Sequence, residues 1–204
     1  MGSLFGSGAP FGALADGLAR ALSEPGQVVR ALGEPRKSQV EKLYADGSLV
    51  ILNVVWAPWM TVMPHNHEMW AVIGIYTGRE DNVFWRRTAG AEGGRIEAAG
   101  ARALCEKDVT ALGRDIIHSV TNPIPRFTGA IHVYGGDFVN TPRSQWDPDT
   151  LLEQPWDFEF FKQQFAKANA EWAAQVSDLL GRTIPPPVER PARDTPECPP
   201  CHPG

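Results

Sequence analysis

The chain is poor in cysteine and histidine: 204 residues carry three of the first and five of the second. Three thiols cannot form a disulfide scaffold, because one bridge leaves an odd sulfur. Stability must then come from a packed core, and a chain of this length can bury one. Sparse thiols suit a reducing compartment, so a cytoplasmic protein is expected. Excess positive charge is also lacking. Nineteen Lys and Arg stand against 24 Asp and Glu, a formal net charge of −5. No nucleic-acid partner is expected, since phosphate backbones demand a concentrated basic face. The opening MGSLFGSGAP has neither the basic stretch nor the long apolar core of a secretory signal. The uncharged run from Gly47 to Pro64 is interrupted by Asn53, Pro58 and Thr61. It reads as two strands with a turn, so no membrane partner is expected.

Glycine and proline are abundant, at 20 and 18 residues. Many tight turns follow, which favours an all-β architecture over a helical bundle. Leu14, Leu18 and Leu22 recur at helical spacing, and Pro25-Gly26 breaks that helix. A helical segment is therefore expected over residues 1–42. From 43 to 150, runs rich in Val, Ile, Trp and Tyr alternate with Gly, Asp, Asn and Pro clusters. Strands are expected at 49–56, 61–67, 69–76, 82–87, 101–105, 108–112, 118–121 and 128–134, with hairpin turns at Asp46-Gly47 and Thr77-Gly78. So many short strands imply a sandwich or barrel. Over 151–184, Phe158, Phe161, Phe165, Trp172, Val176 and Leu179 step by three, four or seven. They predict an amphipathic helix packed on the barrel. Residues 185–204 form a Pro-rich tail.

Four of the five histidines fall in the strand-rich region. His65 and His67 are two apart, so in a strand both imidazoles leave one face. Neutral imidazole is a good ligand for first-row divalent metals. The pair alone is a weak signal and fits a hydrogen-bonded core or surface pair better than a metal site.

The surroundings add to it. Pro64-His65-Asn66-His67 is followed by an apolar strand and Gly78, and later by Gly113-Arg114-Asp115-Ile116-Ile117-His118 through Asn122. These blocks resemble the two signature motifs of the cupin superfamily. The resemblance implies a double-stranded β-helix, a jelly-roll barrel with its metal inside, here flanked by N- and C-terminal helices. It implies His65, His67 and His118 as metal ligands. Where the cupin pattern usually has a carboxylate ligand this chain has Ala71 and Val72, and Glu68 alternates to the opposite face. Cupins with three His and no Glu resemble the thiol dioxygenases.

Gly129-Ala130-Ile131-His132-Val133-Tyr134 is similar to the Ser-x-His-x-Tyr strand of those enzymes. The likeness implies catalytic roles for His132 and Tyr134 beside an Fe(II) cofactor, with the outer relay group replaced by Ala130. It implies oxidation of a small thiol by O2 to a sulfinate. The family's substrate-carboxylate arginine has no counterpart near Gln39, Lys42 and Tyr44. Arg87 and Arg126 are the candidates to bind a substrate carboxylate, because guanidinium grips carboxylate bidentately. A monomer or homodimer is expected. A cupin metalloenzyme of another reaction class and a non-catalytic small-molecule-binding cupin remain alternatives. Cys105 reads as a buried, inert thiol. Cys198-Pro199-Pro200-Cys201-His202 matches a haem-attachment spacing, but its proline flanks and the expected lack of export favour a tail without function.

Overall fold

The computed structural model describes residues 9–181. The Pro-rich tail with its CPPCH string lies outside them. Two antiparallel sheets carry most of the chain. Strands β1 (Gln39–Ala45), β2 (Val50–Trp56), β9 (Thr128–Tyr134), β4 (Ala71–Thr77) and β7 (Val109–Leu112) form the first, in that spatial order. The second runs β11 (Glu153–Pro155), β10 (Ser144–Trp146), β3 (Thr61–Asn66), β8 (Ile117–Thr121), β5 (Arg79–Arg87) and β6 (Ile96–Cys105). The sheets are separate in hydrogen bonding. The architecture is therefore a two-sheet sandwich and not the closed barrel expected from the sequence.

Each sheet turns alternate side chains inward. From the first come Leu52, Val54 and Trp56 on β2, and Ala71, Ile73 and Ile75 on β4, all at most 5% exposed. The register sets Leu52 and Ile73 either side of His132, and Val50 and Ala71 either side of Tyr134. From the second come Met63, Val120 and the histidines of β3 and β8, with His65 directly opposite His118. The β3–β8 register slips between Val62 and His65, where Pro64 supplies no amide hydrogen. That irregularity bends the strand and re-aims the histidines that follow it.

Helices α1 (Ala9–Ala21) and α2 (Pro25–Leu32) cover the outer face of the first sheet. Pro25 opens α2 rather than merely ending α1, since its missing amide hydrogen costs nothing in a first turn. Leu22 is fully buried against Val72, Tyr76, Ile131 and Val133, a burial worth about 2 kcal/mol. Gly74 makes the approach possible: a Cβ there would stand 2.4 Å from Leu22 Cδ1 and 2.8 Å from Leu18 Cδ2.

Helix α3 (Phe158–Gly181) lies across one end of the sandwich. It buries Phe165 and Ala168, and Ser38 ties to Asn169 through paired bonds. Its last turns stand clear, with Leu179 at 60% exposure. No helix among the described residues is long and apolar enough to cross a membrane.

The other strands fall close to their expected positions, but four readings change. The sheets begin before residue 43, with β1, and continue past 150, with β11. Asp46-Gly47 is a true hairpin, with Asp46 Oδ1 accepting the amides of Ser48 and Leu49. Thr77-Gly78 is not, because β4 and β5 belong to different sheets. Gly78, at φ +88°, passes the chain between them against Thr128, whose Oγ1 accepts from Arg79 N and donates to Arg79 O. Cys105 ends an edge strand and is exposed.

Candidate metal centre

His65, His67 and His118 meet between the sheets, and one ring nitrogen of each lies within 4.8 Å of the others. All three are at most 7% exposed. His65 Nδ1 bonds Met63 O at 2.9 Å, and a carbonyl only accepts, so that nitrogen carries the hydrogen. His118 Nδ1 bonds Asn82 Oδ1 at 2.7 Å. Both rings thus turn an Nε2 lone pair to the middle, and His118 Nε2 sits 3.3 Å from His67 Nε2. Burial holds His65 down to about 4, and holds His67 and His118 well below the ordinary histidine value, with neighbouring imidazoles adding to it. They are neutral at pH 7, the form a metal needs. Three convergent imidazoles without a charged ligand fit a divalent transition metal and leave coordination positions open.

Glu68 is no fourth ligand. It has φ +56°, accepts from Asn66 Nδ2 at 2.7 Å and faces Arg114. Ala71 and Val72 are buried and apolar. Asn122, last in the second histidine block, has a structural task. Its Nδ2 donates to the carbonyls of Trp56, Ala57 and Arg126.

The histidines form the floor of a chamber of about 230 Å³. Its walls are mostly aromatic, and Phe161 and Phe165 of α3 close one side. Ring centroids step from His65 to Trp156 (5.6 Å), Phe161 (5.1 Å), Phe165 (5.0 Å), Trp56 (5.6 Å) and His132 (6.1 Å). His132 and Tyr134 both line it, with His132 Nδ1 and the Tyr134 hydroxyl 2.9 Å apart. Burial pushes the Tyr134 phenol up, so it keeps its proton. The Tyr134 ring packs edge-on to His67, centroids 4.9 Å apart.

Arg87 and Arg126 do not reach the chamber. Arg87 ends β5, an inner strand of the second sheet, at an exposed position and forks onto Glu153. Arg126 lines a separate surface hollow with Arg79 and Cys105. The arginine that does line the chamber is Arg143, which sequence reading missed. It is 8% exposed and sits over the rings of Phe138 (4.4 Å) and Trp156 (4.5 Å). Its Nη1 donates to Phe138 O, and no carboxylate pairs with it among the described residues. Burial pushes it down to about 10, so it stays charged at pH 7. Nothing in its loop, Thr141-Pro142-Arg143, marks it in advance.

Glu80 was missed too. It is fully buried at the start of β5, accepting from Trp56 Nε1 at 2.8 Å and Asn82 Nδ2 at 3.0 Å. His132 Nε2 lies 3.5 Å from its Oε2. Burial alone would raise this carboxyl, but His132, Asn82 and Trp56 together hold it below the ordinary range. Strand alternation, which puts Glu80 and Asn82 on one face, was the available signal.

Among the described residues, three buried side-chain nitrogens have no hydrogen-bond partner: His132 Nε2, Arg143 Nε and Trp156 Nε1. All three residues line this one chamber. His132 Nε2 faces Glu80, but Arg143 Nε and Trp156 Nε1 have no such group; buried polar atoms are nearly always satisfied, so these two donors mark a place where something else binds.

No family model matches the chain. Among solved structures it is similar to an RmlC-like cupin family protein with a double-stranded β-helix fold from Methanocaldococcus jannaschii, 12% identical over 52% of this chain and 86% of that one, TM-score 0.43. A cupin superfamily protein from Desulfitobacterium hafniense is 16% identical over 52% and 86%, TM-score 0.40. Oxalate decarboxylase from Bacillus subtilis is 16% identical over 44% of this chain and 21% of that one, TM-score 0.35.

Proposed function

We propose that the chain is an Fe(II)-dependent thiol dioxygenase of cupin type, acting on a small thiol that carries a carboxylate and no ammonium group. The observation that carries this reading is the cluster of unpartnered donors beside three neutral imidazoles. Arg143 Nε and Trp156 Nε1 are donors only, so their missing partner is an acceptor, and beside a guanidinium an anionic one. No acidic side chain lines the chamber among the described residues. A substrate ammonium would meet a cation and find no counter-charge, which sets a mercapto-acid above free cysteine.

His65, His67 and His118 would hold the iron, which when bound supplies affinity for the thiolate and for dioxygen. Arg143 and Trp156 take the carboxylate and so fix the sulfur over the floor. Trp56, Phe161 and Phe165 keep water out. Tyr134 holds a protonated hydroxyl at the reacting end, positioned by His132. The net change needs no outside reductant: the thiol loses its proton, sulfur gives up four electrons, and both oxygen atoms join it as a sulfinate.

The test is oxygen uptake by iron-loaded protein with 3-mercaptopropionate, mercaptosuccinate, cysteine and ethanethiol, with products read by mass spectrometry. The expected result is one O2 consumed per 3-mercaptopropionate, a product 32 Da heavier, and weaker turnover of cysteine and ethanethiol. Oxygen uptake with no thiol, or uptake that yields only disulfide, would overturn the proposal.

A further inference from the structure

The buried carboxylate of Glu80 touches neither the floor of the chamber nor any surface, yet it ends one hydrogen-bond chain and faces the head of a second. One runs from Glu80 Oε1 to Asn82 Nδ2 (3.0 Å), then from Asn82 Oδ1 to His118 Nδ1 (2.7 Å). In the other, Glu80 Oε2 faces His132 Nε2 at 3.5 Å, an ion-pair distance without hydrogen-bond geometry, and His132 Nδ1 bonds the Tyr134 hydroxyl (2.9 Å). We propose that Glu80 is a positioning residue that fixes the ring tautomers of His118 and His132. It thereby orients one metal ligand and the Tyr134 hydroxyl from a single buried charge.

A carboxylate only accepts, so the amide group of Asn82 facing it must be the NH2. Asn82 then has only its oxygen left for His118, whose Nδ1 must carry the hydrogen. The His118 Nε2 lone pair is left for the metal. At His132 the same tautomer follows from charge: the carboxylate 3.5 Å away favours an N–H at Nε2, and Nδ1 is the nitrogen that meets Tyr134. Residue 130, the position of the relay serine in the enzymes this strand resembles, is Ala130 and offers no polar atom. Glu80 reaches His132 from the other sheet instead. A carboxylate buried for packing alone would be a poor choice, because its desolvation costs several kcal/mol that an uncharged isostere avoids.

This inference rests on the dioxygenase reading only for its kinetic arm. The structural arm is nitrogen-15 NMR of histidine-labelled, iron-free protein. The wild type is expected to show His118 protonated at Nδ1 and His132 protonated at Nε2. Glu80→Gln offers an amide NH2 where the wild type has an acceptor, and is expected to change the His132 signature while the unfolding temperature moves by only a few degrees. Unchanged tautomers in Glu80→Gln would overturn the proposal. In the kinetic arm Glu80→Gln is expected to lower kcat about tenfold to a hundredfold with KM within about twofold, and iron affinity by about tenfold. A double-mutant cycle with Tyr134→Phe is expected to be strongly non-additive, because Glu80 acts on turnover through that hydroxyl. Full additivity would sever the Tyr134 half of the proposal. If the wild type oxidises no thiol while the NMR response appears, the dioxygenase reading falls and the role of Glu80 stands. Should Glu80→Gln fail to fold, Asn82→Leu tests the His118 branch by the same NMR measurement, with an unchanged His118 tautomer counting against the proposal.

Discussion

The exposed end of β5 and the chamber between the sheets each hold an arginine, in opposite surroundings. Arg87 is half exposed, forks onto Glu153 and lies over Trp146, 5.2 Å from the ring centroid. Arg143 is buried, lies over two aromatic rings and, among the described residues, has no carboxylate. The surface cation already has its anion and is bathed in solvent, so it adds little to stability and has nothing left to bind with. The buried cation is costly to keep without a counter-ion. What distinguishes the proposed recognition group from the structural one is that it has no carboxylate partner among the described residues, a property of surroundings and not of residue type.

The sharpest way to break this contrast is to remove the buried cation. Arg143→Gln is expected to raise KM for 3-mercaptopropionate about a hundredfold, which is about 2.7 kcal/mol, with iron content unchanged. An unchanged KM in oxygen-uptake kinetics would mean that the carboxylate is held elsewhere.

Acid distinguishes the two regions next. His65, His67 and His118 are depressed, so in the iron-free protein the unfolded chain binds more protons than the folded one below the ordinary histidine value of 6.5. Their stabilisation is fully present above that value and is lost as pH falls towards about 4. For His65 alone the expected loss between pH 7 and pH 5 is about 2 kcal/mol, read from urea unfolding midpoints. Bound iron should oppose the loss, because it selects the neutral imidazoles. A flat midpoint over this range in iron-free protein would show that water reaches the rings.

The smallest effect is expected at the surface. Arg87→Gln should change stability by less than about 1 kcal/mol and leave KM within about twofold. A large rise in KM would reverse the comparison and return Arg87 to the site.

Much of the fold was legible because alternation is a local property. The strands around His65, His118 and His132 are short apolar runs bounded by turn residues, and each formed near its expected place. The His65–His67 spacing and the His132–Tyr134 spacing put each pair on one strand face without any knowledge of the partner strands. Short pieces were less legible: β10 and β11, three residues each, carry too few positions to show a period. Gly78 could be read as a turn, but not as a change of sheet, since both begin with a positive φ.

The sequence by itself determined the alternating strands, the aromatic stripe of α3 and the histidine pairings within a strand, because these depend on neighbours a few residues away. Only the tertiary structure decided which strands would face each other, and with that the identity of the site. Glu80 became the partner of His132 because β5 and β9 lie in opposite sheets across one chamber. Arg143 became the chamber's buried cation because a loop seventeen residues after Arg126 folds back to lay its guanidinium over Trp156. Both roles depend on burial and on an absent or present counter-charge, which are set by residues distant in the chain and leave no mark on the residues themselves.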